Sequence, residues 1–92
     1  MSKKEKDLVV EKEFFIDYEM FTVDELVKIM DFYKLMEKIS KGKKYNREDT
    51  IEKYKEYRNI INNISLEKQY DKALEKEKHF SIYSIMKNII GD

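Results

Sequence analysis

At 92 residues the chain has room for one domain, near the size at which a single apolar core is only just sufficient. It contains no Cys, so neither a disulfide nor a thiolate metal site can reinforce that core, and its 19 basic and 19 acidic residues cancel, so the whole chain carries no field that would draw it to nucleic acid or an anionic membrane. No apolar run approaches the roughly 18 residues of a membrane span, and Leu8-Val9-Val10 is too short for the core of a signal peptide, so a soluble, cytoplasmic protein is expected.

Residues 1–13 are mostly charged and are expected to be frayed or disordered, leaving 14–92 as a single helical-bundle domain. In residues 14–21, Phe14, Ile16, Tyr18 and Met20 alternate with Phe15, Asp17, Glu19 and Phe21, close to a period of two. No other segment alternates, so a strand here would lack a partner. An extended arm laid across helices and anchored by Phe14 and Ile16 is the more economical expectation.

The stretch 22–42 carries the strongest local signals. Thr22 and Glu25 form a capping box, Phe21 and Leu26 have the spacing of a hydrophobic staple, and Gly42 stands where a left-handed residue ends a helix. Between these caps, Val23, Leu26, Val27, Ile29, Met30, Phe32, Tyr33, Leu35, Met36 and Ile39 occupy roughly two-thirds of the circumference at about 100° per residue. Such a helix is expected to pack on two sides, with Leu26, Met30, Tyr33 and Met36 largely buried.

Asn46 is a good N-cap for a second helix, followed by Glu48 and Asp49 where the helix dipole favours acids. Ile51, Tyr54, Tyr57, Ile60, Ile61 and Ile64 keep helical spacing, and the short connection after Gly42 makes the first two helices antiparallel neighbours. Asn62-Asn63 weakens the end of that helix, and Ser65 is the expected cap of a third, with Leu66, Tyr70, Ala73 and Leu74 on its apolar face. Opposite them, a row of Glu67, Asp71 and Glu75 beside Lys68, Lys72 and Lys76 reads as a solvated face, where the Lys68–Asp71 and Lys72–Glu75 pairs contribute ~0.3 kcal/mol each. Ser81 caps a short fourth helix with the stripe Ile82, Ile85, Met86, Ile89 and Ile90, ended by Gly91. So short a helix is ordered only by docking. Docking on its own bundle, with incomplete coverage at the end, makes Ile85, Ile89 and Ile90 the candidate interaction surface. The expected fold class is all-α: a small antiparallel bundle of three helices plus a short C-terminal helix, with an extended N-terminal arm.

Reactive constellations are scarce. With one His and no Cys there is no base–nucleophile couple, and His79 reads as a turn residue that tolerates the left-handed conformation. Bundle metal sites need Glu-x-x-His pairs, but Lys76 stands three before His79. Two isolated glycines cannot form a phosphate-binding loop, and Lys41-Gly42-Lys43-Lys44 is accounted for by the negative end of the helix dipole. No catalytic residue, cofactor or metal ligand is therefore expected. Glu37 projects into the apolar sector of the first helix and is the candidate buried polar residue, either bonded to a Tyr hydroxyl or a Lys at a helix junction or contacting a ligand. Tyrosines and cations interleave in Lys53-Tyr54-Lys55-Glu56-Tyr57-Arg58, a pattern able to stack on bases and hold phosphates. Because Tyr54 and Tyr57 share a face with Ile51 and Ile61, core packing also explains them.

Taken in series, Thr22-Val23-Asp24-Glu25 after an aromatic, Phe32-Tyr33 with Glu37, Arg47-Glu48-Asp49 leading to Tyr54 and Tyr57, and Phe80-Ser81-Ile82-Tyr83 resemble the YktA-like family of uncharacterised small helical proteins from low-GC Gram-positive bacteria. The resemblance runs from about Phe14 to Lys87. Phe15 departs from a Pro of the family pattern, Phe21 from a Trp, Asn62 from a Pro and His79 from a Gly. The resemblance implies a small all-helical cytoplasmic protein and transfers no catalytic residue. The functional expectation is a non-enzymatic protein-interaction or regulatory module with an unknown protein partner or self-association. The alternative is a small nucleic-acid-associated protein using the basic and Tyr-containing region 41–58.

Overall fold

Local capping signals decide where each helix begins. In the computed structural model, which describes Phe14 and residues 16–91, the regular structure is one 3₁₀ turn, Tyr18–Met20, and four α-helices: α1 Val23–Ser40, α2 Arg47–Ile61, α3 Ile64–Lys78 and α4 Ile82–Ile90. The charged segment 1–13, expected to fray, lies outside the described residues. At the start of α1, the Glu25 amide donates to Thr22 Oγ1 at 3.2 Å and the Thr22 amide donates to Glu25 Oε1 at 3.0 Å, completing the capping box. At its end Gly42, with φ +83°, donates to the Ile39 carbonyl while the Lys43 amide reaches the Lys38 carbonyl, a Schellman closure. Asn46 caps α2 by accepting from the Asp49 amide at 2.8 Å.

The α2–α3 corner differs from the sequence expectation. Asn62, in the left-handed region at φ 48°, closes α2, and Asn63 Oδ1 caps α3 by accepting from the Leu66 amide at 2.9 Å. The cap is therefore Asn63, not Ser65. Asn both tolerates the left-handed region and caps helices as well as Ser does, so two successive Asn residues stop one helix and start the next without a linker. As a consequence Ile64 belongs to the first turn of α3 and is 63% exposed, not on the apolar face of α2. His79 is left-handed at φ 66° and closes α3, as its turn reading anticipates.

The core is supplied mainly by Ile29, Phe32, Tyr33 and Met36 of α1, Tyr57 and Ile61 of α2, Tyr70 and Leu74 of α3, and Ile82, Met86 and Ile89 of α4. Phe14 and Ile16 of the N-terminal arm are buried in it, with the Phe14 ring 5.2 Å from that of Tyr33. The arm is pinned at Asp17, whose amide donates to Tyr70 Oη at 3.1 Å while Tyr70 Oη donates to Asp17 Oδ2 at 3.0 Å.

The short C-terminal helix is no appendage. It packs against both α1 and α2, and Arg47 at the start of α2 donates from Nε to the Ile89 carbonyl at 3.0 Å. Thus α4 runs back along α2 toward the loop that follows α1. At 1.5 Å per residue it spans only about 13 Å against about 27 Å for α1, so it cannot cover α1 to its N-terminal end. Val23 and Val27 lie on the side of α1 turned away from Ile29, Phe32, Tyr33 and Met36 and are exposed, at 75% and 52%, and Leu26 and Met30 at the margin of that face are only partly buried, where two-sided packing anticipated more. On α4 itself, Ile89 continues the buried face of Ile82 and Met86, while Ile90, about 100° further round the helix, stays half exposed.

Candidate functional site

Along α2, alternate side chains go to opposite tasks. Tyr57 turns inward, where its hydroxyl meets that of Tyr33 at 2.8 Å and its ring stacks on Phe32 at 4.8 Å between centroids. Burial pushes both phenols far above their ordinary ionisation range, so the pair stays neutral and structural. Tyr54, half-buried with its ring 6.1 Å from that of Phe32, and the exposed Arg58 one turn further on border the open side of α2, with the guanidinium 5.7 Å from the Tyr54 ring centre. Partial burial also raises the Tyr54 phenol.

These two side chains form one wall of a cleft of about 220 Å³ between α2, α3 and α4. Ile64, Glu67, Lys68 and Asp71 bring α3 to it, and Ile82 and Tyr83 bring α4. Glu67 Oε1 lies 3.3 Å from Arg58 Nε, an ion pair whose hydrogen bond raises the guanidinium still further. Asp71 binds the start of α4: Oδ1 accepts from the Ile82 amide at 2.7 Å, and Oδ2 accepts from Ser81 Oγ at 3.0 Å and the Tyr83 amide at 3.4 Å. A carboxylate at a helix N-terminus is stabilised both by orphan amides and by the dipole. Glu67 and Asp71 therefore leave the solvated row in which sequence periodicity places them: Glu67 faces Arg58 of α2, and Asp71 meets the start of α4.

The cleft continues past Tyr83 into a shallow depression bordered by Met86, Lys87 and Ile90, and past Arg58 into another bordered by Lys55 and the Asn62-Asn63 corner. Its rim exposes Ile64, Tyr83 and Ile90 at 63%, 67% and 50%, a run of apolar side chains beside Tyr54. Lys87 Nζ sits 6.0 Å from the centre of the Tyr83 ring.

The expected site residues fall in different places. Of the candidate surface Ile85, Ile89 and Ile90, only Ile90 borders the cleft; Ile85 is partly buried against the core and Ile89 is within it. Glu37 is not enclosed: its side chain is 29% exposed and its carboxylate faces Lys41 Nζ at 3.9 Å, a Lys at the helix junction. Region 41–58 is divided, with Lys41, Lys43 and Lys44 exposed at the α1–α2 turn, Tyr57 inside, and Tyr54 and Arg58 in the cleft. Sequence reasoning does not single out Tyr83, Ile64 or Lys68 as site residues. The one signal it offers is that Tyr83 lies off the apolar stripe of α4. Among the described residues no group of three or more His, Asp or Glu converges to hold a metal ion, and no helix is long and apolar enough to cross a membrane.

Residues 9–91 match the family described as Uncharacterised protein family (UPF0223). A UPF0223 protein of Bacillus mycoides (strain KBAB4) is 31% identical over 74 residues, which cover 80% of this chain and 81% of that relative. No solved structure matches the chain.

Proposed function

Starting from a chain that belongs to the UPF0223 family, we propose that this protein is a cytoplasmic, non-enzymatic interaction module that docks a protein partner in the cleft between α2, α3 and α4. The observation that carries this reading is the continuous exposure of Ile64, Tyr83 and Ile90 beside Tyr54 on a chain of which 41% is charged. Contiguous apolar surface rimmed by charge marks interaction sites more often than it marks chance exposure. Tyr and Arg, both present in the cleft, are the side chains that most often dominate interface energies. The non-enzymatic part draws on the chemistry of the walls. The inner phenols are held neutral by burial, and Arg58 and Asp71 are engaged with groups of the chain itself. A nucleic-acid track along 41–58 has weaker support, since Tyr57 offers no ring face to a base and Arg58 is already paired with Glu67.

Affinity capture of the tagged chain from its own cells, with and without nuclease and beside Tyr83→Ala, tests the reading. A captured protein that survives nuclease and is lost with Tyr83→Ala is the expected result. Capture abolished by nuclease and indifferent to Tyr83→Ala refutes it.

A further inference from the structure

We infer that the segment received by this cleft is acidic, with aliphatic or aromatic anchor residues; the inference rests on the docking reading and names the chemistry of its partner. Four cations, Lys55, Arg58, Lys68 and Lys87, border it and its two extensions, against two carboxylates, Glu67 and Asp71, although the chain as a whole is neutral. Both carboxylates are committed within the chain: Glu67 to Arg58, and Asp71 to three donors at the start of α4.

The lysines are not so committed. Lys55 and Lys68 are exposed and make no ion pair among the described residues, and Lys87 lies over the Tyr83 ring. A cation–ring contact leaves the other side of an ammonium free for a carboxylate. An arriving Asp or Glu thus meets positive charge without breaking any bond of the cleft. An arriving Lys or Arg would meet like charge, and would gain a carboxylate only by disrupting the Arg58–Glu67 pair or the cap of α4. Complementarity of this kind sets which partners are admitted more than how tightly they bind. The exposed Ile64 and Ile90 add a requirement for apolar anchors. They also favour a peptide over a nucleic-acid strand, because aliphatic side chains offer no stacking platform.

The test is selection from displayed random peptides of about 16 residues, roughly a four-turn helix in length, on the immobilised full chain. Tyr83→Ala and Lys68→Gln/Lys87→Gln serve as counter-selections, and thermal melts establish that both variants are folded. Expected are sequences of net negative charge with spaced Leu, Ile, Phe or Trp, whose binding falls about three- to tenfold on each variant. Peptides lost on Tyr83→Ala but neutral or basic, or indifferent to the lysine substitutions, would overturn the acidic partner while leaving the docking site in place. If no peptide distinguishes wild type from Tyr83→Ala, the docking reading falls and this inference with it. Binding of a poly-dT or poly-U strand that is lost in the lysine variant, with no peptide enriched, would assign the cleft to nucleic acid instead. Dimerisation in sedimentation that Tyr83→Ala abolishes would assign it to a second copy of this chain.

Discussion

The hydroxyl pair Tyr33–Tyr57 is the sharpest thermodynamic feature of the core. Both rings are buried, at 0% and 3% exposure, and the two oxygens lie 2.8 Å apart, the only hydrogen-bond partner that either shows among the described residues. Tyr33→Phe leaves the ring packing in place but strands the Tyr57 hydroxyl away from water, and Tyr57→Phe does the reverse. A buried polar group without a partner costs about 1–3 kcal/mol. At roughly 4–8 °C per kcal/mol for a domain of this size, a loss of about 2 kcal/mol lowers Tm by about 8–16 °C. Tyr33→Phe/Tyr57→Phe removes both hydroxyls and keeps the ring contacts at 4.8 and 5.5 Å, so it should cost less than either single change, below about 1 kcal/mol. The assay is urea denaturation of the four proteins followed by far-ultraviolet circular dichroism. Additive single costs, or single costs under about 0.5 kcal/mol, would refute the reasoning, because they would mean that water already reaches the pair.

Three further outcomes follow from other parts of the structure. Both phenols ionise above their unfolded value of about 10, so their stabilisation is intact below that pH and is lost as pH rises toward their folded values. The unfolded chain then releases protons that the folded one holds, and the unfolding free energy read from urea titrations should fall above about pH 10, by up to ~1.4 kcal/mol per pH unit for each phenol and less steeply in the double Phe variant. Ile89→Ala should cost about 2–4 kcal/mol in the same titration, whereas Ile90→Ala should stay within about 0.5 kcal/mol; equal effects would contradict the placement of α4. Asp71→Ala removes a helix cap supplied from α3, costs about 1–2 kcal/mol, and should raise amide exchange in α4 ahead of α1; uniform exchange would show that α4 does not depend on that carboxylate.

Much of the fold is legible in the amino-acid sequence. The Thr22–Glu25 box, the Asn46 and Ser81 caps, the Gly42 and Gly91 stops and the left-handed turn at His79 are local events. Each depends on hydrogen bonds among residues within a few positions of one another, which a sequence displays directly. The anchoring of the arm by Phe14 and Ile16 is legible too, since the two lie on one side of a segment whose side chains alternate with a period close to two. The Asn62-Asn63 corner is ambiguous in sequence because each Asn can end a helix or begin one, and the two roles differ only in backbone conformation. The cleft is not legible at all. Periodicity puts Glu67 and Asp71 on an outer row of α3, which is correct for α3 alone; it is Arg58 of α2 that engages Glu67 and the start of α4 that gives Asp71 a helix to cap. Ile89 and Ile90 both belong to the apolar stripe of α4, yet they project about 100° apart, and it is the packing of α4 that makes one core and the other rim. Helical spacing determines which side chains share a face. Which faces meet depends on helix lengths and on where the corners send the next helix, and those distances exist only in three dimensions.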